Sequence, residues 1–105
     1  MRERSIEKKL AEKMRQSGGI AIKFTSPSFS GLPDRLLLAP GGRMAFAEIK
    51  APGKTPRSLQ ASRHRMLREL GFRVYVIDTL EAIDKVIKDL LEGEPSGGGR
   101  SVYGI

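Results

Sequence analysis

Apolar residues return every four positions near the start of the chain, at Ile6, Leu10 and Met14, which predicts a helix with one face turned toward a core. Ser5 is placed to cap that helix and Ser17-Gly18-Gly19 to stop it, giving a span of about residues 5–17. Ile20-Ala21-Ile22-Lys23-Phe24-Thr25 alternates and is β-branched, the pattern of a strand, and residues 26–31 are rich in turn formers. Two more strands are predicted over 34–39 and 43–50, joined as a hairpin through Pro40-Gly41-Gly42. Thr55-Pro56 then reads as the N-cap and first turn of a basic helix ending near Leu70-Gly71, with Leu59, Met66, Leu67 and Leu70 as its apolar stripe. Residues 73–77 form a short, nearly continuous apolar run, as in a strand covered on both faces. Asp78 or Thr79 caps a last helix carrying Leu80, Ile83, Val86, Ile87 and Leu90. The order α-β-β-β-α-β-α predicts an α/β fold, a mixed β-sheet flanked by helices, in which the basic helix crosses over to deliver the last strand parallel to a neighbour.

A chain of 105 residues allows one small domain, with residues 1–92 as the folded body and the Gly- and Ser-rich stretch 93–105 as a flexible tail. Val102-Tyr103-Gly104-Ile105, within that tail, is apolar enough to dock somewhere. With no cysteine and a single histidine, His64, disulfides, thiol catalysis and the usual zinc sites are excluded, so any metal must be held by oxygens. No apolar run approaches the roughly 18 residues that cross a bilayer, and Met1 is followed by charged Arg2, Glu3 and Arg4. The expectation is a cytoplasmic protein without membrane contact.

The formal net charge is +7, and its placement matters more than its size. Residues 1–23 carry seven basic and three acidic side chains, and residues 50–73 carry seven basic against Glu69 alone. From Asp78 to Glu94 the sign reverses, with six acids against Lys85 and Lys88. Such segregation predicts one surface that attracts a polyanion, with nucleic acid as the usual partner of a small basic domain, although basic helices also serve solubility alone. His64, between Arg63 and Arg65, is expected at the surface or on a phosphate rather than as a general base.

Strand alternation puts Met44, Phe46, Glu48 and Lys50 on one side of the third strand and Ala45, Ala47 and Ile49 on the other. The first side is expected to be a buried apolar face that turns ionic at its end. Folding the hairpin about Gly41-Gly42 brings Asp34, at the start of one strand, beside Glu48 and Lys50 at the end of the other. Two carboxylates so placed repel each other and resist burial, and a Mg²⁺ or Mn²⁺ ion relieves both costs, with the Ile49 carbonyl as a further oxygen ligand. A lone Glu-x-Lys is a common salt-bridged strand end. The Asp after Gly-Leu-Pro, the hairpin turn and the Glu-Ile-Lys together make the metal reading the stronger one.

Gly31-Leu32-Pro33-Asp34, then Glu48-Ile49-Lys50 running into Ala51-Pro52-Gly53, and Gln60 ten residues after the lysine resemble the PD-(D/E)XK nuclease superfamily, in particular its small VRR-NUC branch. The resemblance covers about three-quarters of the chain, from the first helix to the strand ending at Ile77. It implies a restriction-endonuclease-like core and a metal-dependent endonuclease that hydrolyses DNA phosphodiester bonds, leaving a 5′-phosphate and a 3′-hydroxyl. It also implies that Asp34, Glu48, Lys50 and Gln60 are catalytic, Gln60 touching Lys50 or the scissile phosphate, and that Glu7 joins Asp34, Glu48 and Ile49 around the metal. On helix geometry Glu7 lies inside the apolar stripe, so its carboxylate points toward the sheet, although an acid near a helix N-terminus needs no other reason. Pro56 stands four residues before Gln60, where family members often place a proline two before.

Lys23, Lys54, Arg57, Arg63 and Arg65 are the expected DNA contacts, gripping phosphates without reading sequence. Duplex or branched DNA is expected over single strands, because the chain lacks tryptophan and has few aromatic residues to stack on bases. By family analogy a homodimer would suit four-way junctions. Two other readings remain open at this point: a basic nucleic-acid-binding module without catalysis, and a ribonuclease of the same fold.

Overall fold

A computed structural model describes residues 2–95. The elements follow the predicted order: α1 (Glu3–Gln16), β1 (Ile20–Lys23), β2 (Arg35–Ala39), β3 (Arg43–Ile49), α2 (Ser58–Glu69), β4 (Val74–Ile77) and α3 (Leu80–Glu92). The sheet has the spatial order β1-β2-β3-β4. The first two pairings are antiparallel and the third, β3 with β4, is parallel, as the crossover through α2 requires. At the β2–β3 hairpin Gly41 and Gly42 have φ of 80° and 72°, a left-handed conformation that glycine adopts without steric cost.

The core lies on the sheet face opposite to the one expected. Ile6, Leu10 and Met14 of α1, together with Ile83, Val86, Ile87 and Leu90 of α3, pack onto Leu37, Ala45, Ala47, Ile49 and Ile77. Two helices are thus laid side by side on the face carrying the small residues Ala45 and Ala47, which let them come close. Met44 and Phe46, on the other face, are only half-buried. Phe46 makes edge-to-face contacts there with Phe24 and Phe72, at centroid distances of 6.0 and 5.9 Å. α2 covers only the part of this face that holds Glu48, and Ile20, Ile22 and Leu38 remain exposed.

The helix starts also shift. Arg2, not Ser5, is the N-cap of α1, and its side chain makes no capping hydrogen bond. α2 begins at Ser58 rather than at Pro56, with Arg57 as N-cap; the Gln60 side chain closes the first turn by accepting the Arg57 amide through Oε1 (3.0 Å). The extra residues between Pro56 and Gln60 are therefore spent before the helix starts. At α3 the Thr79 hydroxyl accepts the Ala82 amide (3.1 Å), one of the two caps expected there. Thr79→Ala should lower unfolding stability by about 1 kcal/mol, read as a reduced urea midpoint at unchanged slope.

The expected tail is tied down at its first residues. Arg43 Nε donates to the Gly93 carbonyl and an Arg73 terminal nitrogen to the Glu94 carbonyl, both at 2.8 Å. The remainder from residue 96, including the apolar 102–105, lies outside the described residues. Among the described residues no helix is long and apolar enough to cross a membrane.

Candidate active site

The pairing register that sets Arg35 opposite Ala47 places Asp34, one residue before β2, across from Glu48. The hairpin thus brings the two acids to one end of the sheet on the α2 side, as the alternation predicts. Asp34 Oδ1 accepts the backbone amide of Ile49 (3.3 Å), which holds its carboxylate between Glu48 and Lys50 along the chain. Lys50 Nζ lies 3.7 Å from Glu48 Oε2. From above, Gln60 Nε2 donates to the same Glu48 oxygen at 3.2 Å. Gln60 therefore reaches the site by way of Glu48 rather than Lys50.

Glu48 is 3 % exposed, and its surroundings determine its acidity. Burial first, and the Asp34 charge second, push its carboxyl up to about 7, against which Lys50 pulls down. Asp34 is also raised, mainly by burial and further by Glu3, while the Ile49 amide counteracts. Both acids thus pay for being close and partly dry.

His64 is the residue that sequence reasoning placed wrongly. It is 2 % exposed, beneath α2, with Nε2 3.7 Å from Glu48 Oε1. Neither of those two atoms has a hydrogen-bond partner. The available signal was its spacing: His64 follows Gln60 by four residues, so whatever face of the helix Gln60 turns toward Glu48, His64 shares it.

Glu7 is brought toward the sheet but not to this cluster. Its carboxylate pairs with the guanidinium of buried Arg35, which also donates to the Asp34 carbonyl (2.9 Å). The reason is parity: Arg35 belongs to the face that α1 covers, whereas Glu48 and Lys50 belong to the other. One turn earlier on α1, Glu3 reaches the rim of a cleft of about 380 Å³ lined also by Lys50, Ala51, Lys54, Thr55 and Arg57. Glu3 was not singled out in the sequence, and its i, i+4 relation to Glu7 was the one hint.

The basic candidates separate in the same way. Lys54 and Arg57 share the cleft with Lys50. Lys23 lines a different depression, with Arg4, Lys8 and Arg35. Arg63 is committed to the loop before Asp34: its Nε donates to the Ser30 carbonyl (2.8 Å) and its guanidinium lies 4.0 Å over the Phe29 ring. A Cβ on Gly31 would come within 2.8 Å of Leu59, so this loop is pressed against α2 and Asp34 is positioned from both sides. Arg65 faces a separate cavity of about 470 Å³ between α2 and β4, lined also by Pro56, Ala61, Arg68 and Val76 rather than by Asp34 or Lys50.

Among the described residues no group of three or more His, Asp or Glu side chains is arranged to hold a metal. The two-carboxylate set nonetheless fits a hard dication. Asp34 and Glu48 are both driven toward protonation by burial, which a cation would relieve, and Mg²⁺ needs only one or two carboxylates when waters and phosphate oxygens complete its shell.

No family profile matches the chain. A curated protein, "Putative nuclease p44" of Acyrthosiphon pisum secondary endosymbiont phage 1, is 48% identical over 79 residues, covering 75% of this chain and 85% of that protein. A solved structure described as "VRR_NUC domain" superposes with a TM-score of 0.77 at 30% identity, over 82% of this chain and 94% of the other. A second, "VRR_NUC domain protein", superposes at TM-score 0.69 over 95% and 97% of the two chains; at 18% identity it speaks for the fold alone.

Proposed function

The chain belongs to the VRR-NUC family of nucleases, and from that premise we propose that it is a Mg²⁺- or Mn²⁺-dependent endonuclease acting on duplex or branched DNA. The observation that carries this reading is the convergence of Asp34, Glu48 and Lys50 at one end of the sheet, with Lys50 also lining a cleft shared by Lys54 and Arg57. Asp34, Glu48 and the Ile49 carbonyl would hold the ion. Glu7 could join them only by leaving Arg35. When bound, the ion supplies Lewis acidity, lowering the pKa of water and neutralising phosphate charge.

The remaining work falls to side chains. Lys50 places an ammonium beside the carboxylates, where it orients the attacking water and offsets negative charge developing on the phosphate. Gln60 fixes the plane of the Glu48 carboxylate through Oε2. Lys54 and Arg57 hold the phosphates on either side of the scissile one, so that the reacting phosphorus stays over the cluster. Lys23, Arg63 and Arg65 would extend the grip along the duplex, Arg63 with the least freedom because Ser30 and Phe29 engage it. A domain of this size covers little of a duplex, and a homodimer would present two clefts to a four-way junction.

The test is a panel of supercoiled, duplex, junction and RNA substrates with Mn²⁺. Metal-dependent DNA cleavage leaving 5′-phosphate ends is the expected result; binding without cleavage supports the non-catalytic module, and cleavage of RNA alone supports the ribonuclease. Arg57→Ala should weaken binding of all DNA sequences alike and reduce the slope of log affinity against log salt by about 1. An unchanged slope would remove Arg57 from the phosphate contacts.

A further inference from the structure

Helix α2 touches Glu48 twice. Gln60 and His64 are four residues apart, so they lie one above the other on the same helix face, and each meets a different carboxylate oxygen. Gln60 Nε2 already donates to Oε2, which is also the oxygen facing Lys50. His64 Nε2 faces Oε1 at 3.7 Å, and these two are the buried side-chain atoms without a partner among the described residues. Two polar atoms that have lost water and face each other in this way are costly apart and stabilising together. A displacement of about 0.7 Å, within reach of a small torsion of either side chain, closes the gap to hydrogen-bond length.

We infer that His64 is a positioning residue, which donates Nε2–H to Glu48 Oε1 and so fixes the Glu48 carboxylate beside Asp34 and Lys50. The inference rests on the metal-site reading above for its functional consequence, although the hydrogen bond itself does not. With Gln60 on one oxygen and His64 on the other, a single helix fixes both the position and the plane of the carboxylate. Outer partners of this kind orient metal-binding carboxylates, and their loss costs about 10- to 100-fold in affinity or activity. A general-base role is not part of the assignment, because the ring is enclosed and meets the reaction only through Glu48.

Three measurements test it. His64 is the only histidine in the chain, so the imidazole ¹⁵N spectrum of the wild-type protein contains one residue. At pH 8.5 without metal, Nε2 should carry the proton, and Glu48→Gln should shift its resonance; an Nδ1–H tautomer with bare Nε2 overturns the inference. In calorimetry, His64→Leu, which keeps bulk but no donor, should weaken Mn²⁺ binding about 10- to 100-fold, and His64→Gln, whose Nε2 can occupy the same place, should restore it to within a few-fold. In cleavage assays His64→Leu should lower kcat while leaving KM for DNA within about twofold, a split that loss of packing alone would not give. Wild-type Mn²⁺ affinity in a folded His64→Leu protein, or a His64→Gln protein as impaired as His64→Leu, overturns it. If wild type neither binds Mn²⁺ nor cuts DNA, the nuclease reading fails separately, and the tautomer still decides whether His64 holds Glu48.

Discussion

Lys50→Ala should lower Mn²⁺-dependent DNA cleavage by about a thousandfold while DNA binding changes by no more than about threefold, because the ammonium acts where charge develops in the transition state. Asp34→Ala should match or exceed that loss. It removes a carboxylate from the ion and also the acceptor of the Ile49 amide, so the end of β3 loosens at the position where the carbonyl ligand belongs. The two variants differ in metal binding. Lys50→Ala should retain Mn²⁺ affinity, since it removes a competing cation 3.7 Å from Glu48, whereas Asp34→Ala should lose it. Cleavage at the wild-type rate by a folded Lys50→Ala protein would remove Lys50 from the chemistry.

Glu48→Gln should give the opposite signs for stability and function: no metal binding, but a more stable metal-free protein at pH 8. Glu48 ionises in the folded state near 7, far above the ordinary carboxylate value of 4.5, so the folded protein holds this proton more tightly than the unfolded chain does. Stability should then be highest at low pH, fall as the pH rises from about 4.5 to 7, and level off above. The fall should be on the order of 2 kcal/mol, less than a shift of that size in full, because the Asp34 side of the site is open to solvent. Glu48→Gln should abolish most of that slope, leaving a smaller one of the same sign from Asp34, whose proton affinity is also raised. Mg²⁺ should restore the stability of wild type at pH 8 and leave Glu48→Gln unaffected. Urea midpoints across pH 4.5 to 8.5, with and without Mg²⁺, check all three statements; a wild-type stability that rises over this range would contradict the burial of Glu48.

What could be read in the sequence follows from which physical signals are local. Strand alternation and a glycine hairpin turn are enough to bring Asp34 to Glu48 and Lys50, since pairing register propagates from the turn. Which face of the sheet carries the larger core is not local. Ala45 and Ala47 look weakly apolar beside Met44 and Phe46, yet two helices pack on the alanine side because small residues let them approach, and only the tertiary arrangement decides it. That one misplacement of the core accounts for Glu7. Its inward direction was legible, but it enters the sheet on the α1 side, where Arg35 meets it, while the carboxylate pair looks toward α2. It accounts for His64 as well. On a helix with many arginines a histidine reads as one more surface cation, and only its four-residue spacing from Gln60 marks the helix face that covers the buried glutamate. The start of α2 was misread because Thr55-Pro56 satisfies the rules for a helix beginning, whereas the Gln60 side chain closes the first turn from Arg57.

The claim on which the rest depends is that the oxygens at Asp34, Glu48 and Ile49 form one site for a hard cation. It is tested most directly by anomalous scattering from crystals of the metal-free protein soaked in millimolar Mn²⁺. The account predicts one strong peak within coordination distance of both carboxylates and of the Ile49 carbonyl, lost in Asp34→Ala crystals. A peak bound elsewhere, or a featureless map at that cluster with the side chains ordered, would contradict it.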